Sequence, residues 1–75
     1  MISSKLIEAI NEVLPDLNLE DLNLNDSFAN NSIDSLDTMS IFLELKEKDI
    51  DLSDEEIDTH CNTIQSTSDY IESKL

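Results

Sequence analysis

The residues best placed to do chemistry are Asp34-Ser35-Leu36-Asp37. A serine directly behind a helix-capping aspartate lies at the positive end of a helix. An anion joined to its Oγ would meet exposed N–H groups and the helix macrodipole, worth roughly 0.3–1 kcal/mol near a surface. That setting suits a covalently attached phosphate. The same spacing also describes an ordinary first-turn serine, and spacing by itself leaves both readings open. Other reactive side chains are sparse. Asp49, Asp51 and Ser53 alternate like the start of a calcium loop, but its sixth and twelfth places hold Asp54 and His60 instead of glycine and glutamate. His60 and Cys61 are adjacent, so on a helix they point apart and make a poor nucleophile pair. Ser35 with His60 as a hydrolase would need an oxyanion loop and an orienting third group, and neither is evident. Cys61 is the single cysteine, which excludes an internal disulfide and a multi-cysteine metal site. No metal site is expected.

Helical elements must position Ser35. Ile2, Leu6, Ile10 and Val13 recur at helical spacing over residues 2–14, with Ile7 and Leu14 widening the stripe. Ser3 or Ser4 can cap the start, and Pro15 follows the end. Residues 15–34 form a long connection whose Leu17, Leu19, Leu22 and Leu24 are too apolar for a solvated linker. Phe28 is expected to anchor its far end in the core. A second helix is predicted from Ser35 to about Lys48, capped by Asp34 and with Asp37 in its first turn. Ile41, Phe42 and Leu45 form its buried side. Leu36, Met39 and Leu43 make a neighbouring face that need not be covered. Ser53 and Glu56 stand in capping-box register for a short helix near 54–59. Asn62 or Thr63 opens a last helix through Leu75, with Asn62 and Gln65 as a weaker box. The prediction is an all-α four-helix bundle, three main helices and one short, with a long first loop.

Composition narrows the function. Seventy-five residues make one small domain, 1–75, with no room for a deep catalytic cleft beside a second binding domain. Eighteen acidic residues against four lysines give a net charge of −14. Such a surface excludes nucleic acid as a partner and favours proteins with basic patches, met quickly and in a salt-sensitive way. With no glycine in the chain, phosphate-cradling loops and nucleophile elbows cannot be drawn. No signal peptide or membrane span is read, so a monomeric cytoplasmic protein is expected.

The stretch Ser32-Ile33-Asp34-Ser35-Leu36-Asp37-Thr38-Met39 resembles the attachment site of the acyl carrier protein family, whose core is Asp-Ser-Leu. The likeness extends to Asp26-Ser27-Phe28, to Asp54-Glu55-Glu56, to Asn62-Thr63-Ile64-Gln65 and to Asp69-Tyr70-Ile71. The resemblance implies a non-catalytic carrier whose Ser35 receives 4'-phosphopantetheine from coenzyme A through a phosphopantetheinyl transferase. The arm would hold an acyl or aminoacyl thioester. Asp34 and Leu36 flank the attachment point. Leu36, Met39 and Leu43 would face partner enzymes that transfer or modify the cargo, ringed by Asp34, Asp37, Glu44 and Glu47. Three features depart from the family. Asn31-Ser32 stands where it has Leu-Gly, and positive φ costs serine more than glycine. Lys46 and Lys48 fall in a helix that is mostly acidic in fatty-acid carriers, and Thr67 and Ser68 replace small apolar residues. Fatty-acid, polyketide and related specialised pathways remain open. The alternative reading is an unmodified acidic helical module that binds a basic protein.

Overall fold

The computed structural model describes residues 2–75 and is all-helical over them. Helix α1 spans Ser4–Val13, α2 Ser35–Glu47, α3 Asp54–His60 and α4 Ile64–Ser73. The connection from α1 to α2 carries two short 3-10 turns, Leu19–Asp21 and Ala29–Asn31, which the sequence pattern does not announce.

Each helix follows from its residues. Leu6, Ala9 and Ile10 bury one stripe of α1, chiefly against α2. Ser3 precedes α1 without capping it through its side chain. Instead its N–H donates to Ser68 Oγ at 2.6 Å and its own hydroxyl donates to Glu72 Oε2 at 2.6 Å, tying the start of α1 to α4. In α2, Ile41 and Leu45 are fully buried while Phe42 is half-buried and packs edge-to-face on Phe28, with centroids 6.0 Å apart. The helix ends in a Schellman turn: Ile50 N–H reaches Leu45 O at 2.9 Å and Asp49 N–H reaches Lys46 O at 3.0 Å. Asp49 takes the left-handed place at φ 66°, where glycine is usual, and Ile50 folds back into the core beside Leu45.

Ser53 and Glu56 close a complete capping box at the start of α3. The last helix differs from expectation. Thr63 with Ser66, not Asn62 with Gln65, forms its box, because Thr63 has the extended backbone of a cap and Ser66 stands at the third helical position. Its helical turns stop at Ser73.

Leu6, Ile10, Phe28, Ile33, Ile41, Leu45, Ile50, Ile64 and Ile71 meet in one core. Each such side chain stabilises the fold by about 1.5–3 kcal/mol relative to exposure. Leu17, Leu19, Leu22 and Leu24 pack partly buried on its outside, so the long loop is a lid on the core. Its backbone also serves α4. Leu24 O accepts Gln65 N–H at 2.8 Å and Asp26 O accepts Ile64 N–H at 3.1 Å, satisfying two N–H groups at that helix start. Among the described residues no helix is long and apolar enough to cross a membrane.

Candidate functional site

The loop delivers the chain to α2 through a series of short-range hydrogen bonds. Asp26 accepts from Ser27 N–H at 2.9 Å and from Asn30 Nδ2 at 2.7 Å, and the Asn30 bond foremost holds its carboxyl below the ordinary value. Ile33 N–H returns to Phe28 O at 3.0 Å, and the Ile33 side chain is buried. Between them Ser32 adopts φ 64° and ψ 24°, the left-handed conformation for which the glycine of the resembled motif is suited. The turn is thus made at this position in spite of the side chain.

Asp34 then leaves the core as the cap of α2. Its Oδ1 accepts Asp37 N–H at 2.8 Å, and its carbonyl accepts both Thr38 N–H at 2.9 Å and the Thr38 hydroxyl at 2.8 Å. Ser35 follows as the first helical residue and is exposed. Among the described residues its hydroxyl has no hydrogen-bond partner, and the N–H groups of Ser35 and Leu36 have no acceptor in the chain. A free hydroxyl therefore stands beside two free N–H donors at the positive end of a thirteen-residue helix. An anion on Ser35 Oγ fits this arrangement.

Leu36, Met39 and Leu43 remain 74%, 63% and 60% exposed, a strip running away from Ser35 along one face of α2. Among the described residues these exposures identify a prepared apolar surface, because the chain buries its other large apolar side chains except Leu75 wholly or in part. Asp34 and Glu47 are exposed beside the strip, and Asp37 and Glu44 are half-buried. Partial burial, and then the charge of Glu47, raises the carboxyl of Glu44 above its ordinary value. Two grooves flank the strip. One, of about 560 Å³, is lined by Met39, Phe42, Leu43, Leu52 and Ile57 together with Asp51 and Asp54. The other, of about 540 Å³, lies between Val13 and the Ser40–Glu47 side of α2. Leu43 and Lys46 line both.

The competing sequence readings meet different geometry. His60 stacks on Tyr70 at 4.2 Å and has no hydrogen bond to Ser35 among the described residues, so no serine–histidine pair is assembled. Asp49 ends α2 and Ser53 caps α3, so two of the three alternating residues serve a turn and a cap. Cys61 is buried beside Thr67, and that burial pushes its thiol up.

Two features were not foreseen from the sequence. The Asn31 carboxamide makes three hydrogen bonds across the loop, and its only sequence signal is an amide where the resembled motif has leucine. Glu56 accepts from the Tyr70 hydroxyl and pairs with Lys74 at 2.7 Å, fastening α3 to α4. The lysine ammonium, the Ser53 N–H and the tyrosine hydroxyl together hold the Glu56 carboxyl down at about 2.

No curated protein and no solved structure gives a significant match to the chain. A family model described as the phosphopantetheine attachment site matches residues 4–71, from the start of α1 into the last turns of α4. The chain therefore belongs to the phosphopantetheine-attachment family of acyl-carrier-type proteins, helical domains that bear a 4'-phosphopantetheine prosthetic group.

Proposed function

We propose that Ser35 Oγ is the attachment point and that residues 1–75 act as one carrier domain. The observation that carries this is the exposed, unpartnered Ser35 hydroxyl next to the free N–H groups of Ser35 and Leu36. In the loading step Ser35 Oγ attacks the coenzyme A phosphorus that bears pantetheine. A new P–O bond forms, the pyrophosphate bridge breaks, and the adenosine bisphosphate half leaves with the electron pair. The serine proton passes to a base on the phosphopantetheinyl transferase, whose Mg²⁺ stabilises the developing charge.

The bound arm supplies a terminal thiol that holds cargo as a thioester. The chain itself presents and does not catalyse. Leu36, Met39 and Leu43 give partner enzymes an apolar surface, while Asp34, Asp37, Glu44 and Glu47 attract their basic patches and speed encounter. The cargo is an acyl or aminoacyl intermediate of fatty-acid, polyketide or related specialised biosynthesis, carried by a monomer in the cytoplasm. Buried hydroxyls at Thr67 and Ser68 support the specialised end of that range, since they make the α4 side of the core more polar than an acyl chain favours.

The test is incubation with coenzyme A and a promiscuous transferase, followed by intact mass. The native protein gains one phosphopantetheine and Ser35→Ala gains none. A folded native protein that gains nothing overturns the reading in favour of an unmodified acidic interaction module.

A further inference from the structure

Asn31 lies four residues before Ser35 and has no direct bond to it. Its side chain is nevertheless among the most heavily used in the loop. Oδ1 accepts Asn23 N–H at 2.8 Å, and Nδ2 donates to Asn23 O at 3.0 Å and to Ser27 O at 2.8 Å. One carboxamide thus clamps the turn at residues 23–27 to the chain entering α2. That turn is itself fixed, because Leu24 O and Asp26 O hold the first N–H groups of α4. On the other side of Asn31 come the left-handed Ser32 and the buried Ile33. The approach to Ser35 is therefore held at two points, Ile33 by packing and Asn31 by directional hydrogen bonds, with a costly backbone conformation between them.

An apolar residue at this position could contribute only burial. The half-buried amide instead sets distance and angle at three atoms of two other residues. We infer that Asn31 is a positioning residue for arm transfer: its clamp fixes the entry of α2 so that Ser35 Oγ is presented in line with the coenzyme A phosphorus. This rests on the reading of Ser35 as the acceptor. Attack requires the reacting atoms about 3–3.5 Å apart and aligned, and a displacement of about 1 Å can cost on the order of 100-fold in rate. Docking depends on Leu36, Met39 and Leu43, which the clamp does not touch.

Asn31→Asp is nearly isosteric but turns a carboxylate oxygen toward the carbonyls of Asn23 and Ser27 in place of the donor. Asn25→Asp adds the same charge to the same loop without altering the clamp, whose three bonds involve only Asn23, Ser27 and Asn31. Steady-state loading by a promiscuous transferase is measured together with amide hydrogen exchange and backbone chemical shifts. For Asn31→Asp the expected result is kcat down by roughly ten-fold or more with KM within about two-fold. Exchange at the Asn23 amide accelerates, and the Ser35 and Leu36 amide shifts move. Asn25→Asp behaves as wild type.

A folded Asn31→Asp protein with wild-type kcat, or an equal fall in Asn25→Asp, overturns the inference. Should Asn31→Asp fail to fold, Asn31→Leu removes the three bonds without adding charge, and an undiminished kcat there is equally fatal. If the wild-type protein takes no arm, the Ser35 reading fails first. The clamp is then judged on the spectra, where unmoved Ser35 and Leu36 shifts in the variant reject it.

Discussion

Replacing Ser32 by glycine should stabilise the protein, although it deletes a side chain next to the candidate site. Ser32 sits at φ 64° and ψ 24°, is exposed, and among the described residues its hydroxyl forms no hydrogen bond. Removing the side chain therefore sacrifices no hydrogen bond. An L-residue in the left-handed region is disfavoured by roughly 1–2 kcal/mol, which glycine relieves. Glycine in turn adds about 0.5–1 kcal/mol of freedom to the unfolded chain. Mid-range values leave Ser32→Gly more stable by about 0.7 kcal/mol. For a chain of this size that corresponds to a rise in Tm of roughly 3–6 °C. Ser32→Val should move the other way by at least about 1 kcal/mol, because a β-branched residue tolerates positive φ worst. Urea unfolding followed by far-UV circular dichroism, with m held constant, measures both. A glycine variant less stable than wild type, or a neutral valine variant, refutes the backbone argument. Arm transfer to the glycine variant should match wild type, since the turn geometry is kept.

Two further perturbations test how the helices are fastened. Ser68→Ala leaves the buried Ser3 N–H without its acceptor and should cost about 1–3 kcal/mol. Thr67→Val should cost under about 1 kcal/mol, since Thr63 O keeps the Thr67 N–H and Ser66 hydroxyl bonds. Equal losses in urea unfolding count against that assignment. The Glu56 clamp should show in the pH dependence of stability. Its carboxyl, at about 2 in the folded protein against 4.5 ordinarily, gives stability fully present above pH 4.5 and lost as pH falls toward 2. The stability difference between wild type and Glu56→Gln should be flat from pH 5 to about 8, below the alkaline titrations of Tyr70 and Lys74, and shrink through that acid window. A difference independent of pH from 5 to 2 rejects the clamp as the cause.

Much of the fold was legible because local rules and tertiary packing agree. Asp34 caps α2, Ser53 and Glu56 close their box, and Ile41 with Leu45 faces inward, all as spacing requires. The exposed strip was legible too, since α2 carries more apolar residues than one buried face can use. What stayed hidden depends on partners distant in sequence. Ser3 reads as a helix cap, yet its hydroxyl and N–H go to α4, a choice set only once α1 and α4 meet. Asn31 reads only as a departure from the resembled motif, and its value as a clamp needs the loop folded back over eight residues. Thr63 prevails over Asn62 by one position, the scale at which helix ends are poorly specified by sequence. Asp49 closes α2 where glycine is usual, a role a glycine-free chain conceals.

Ser35 alone should receive the arm. Tandem mass spectrometry of peptides from the transferase-treated protein reads it directly, because fragment masses locate the added phosphopantetheine to one residue. The whole increment is expected on Ser35, with Ser27, Ser32 and Ser40 unmodified. An increment on any other serine, or none on a folded protein, contradicts it.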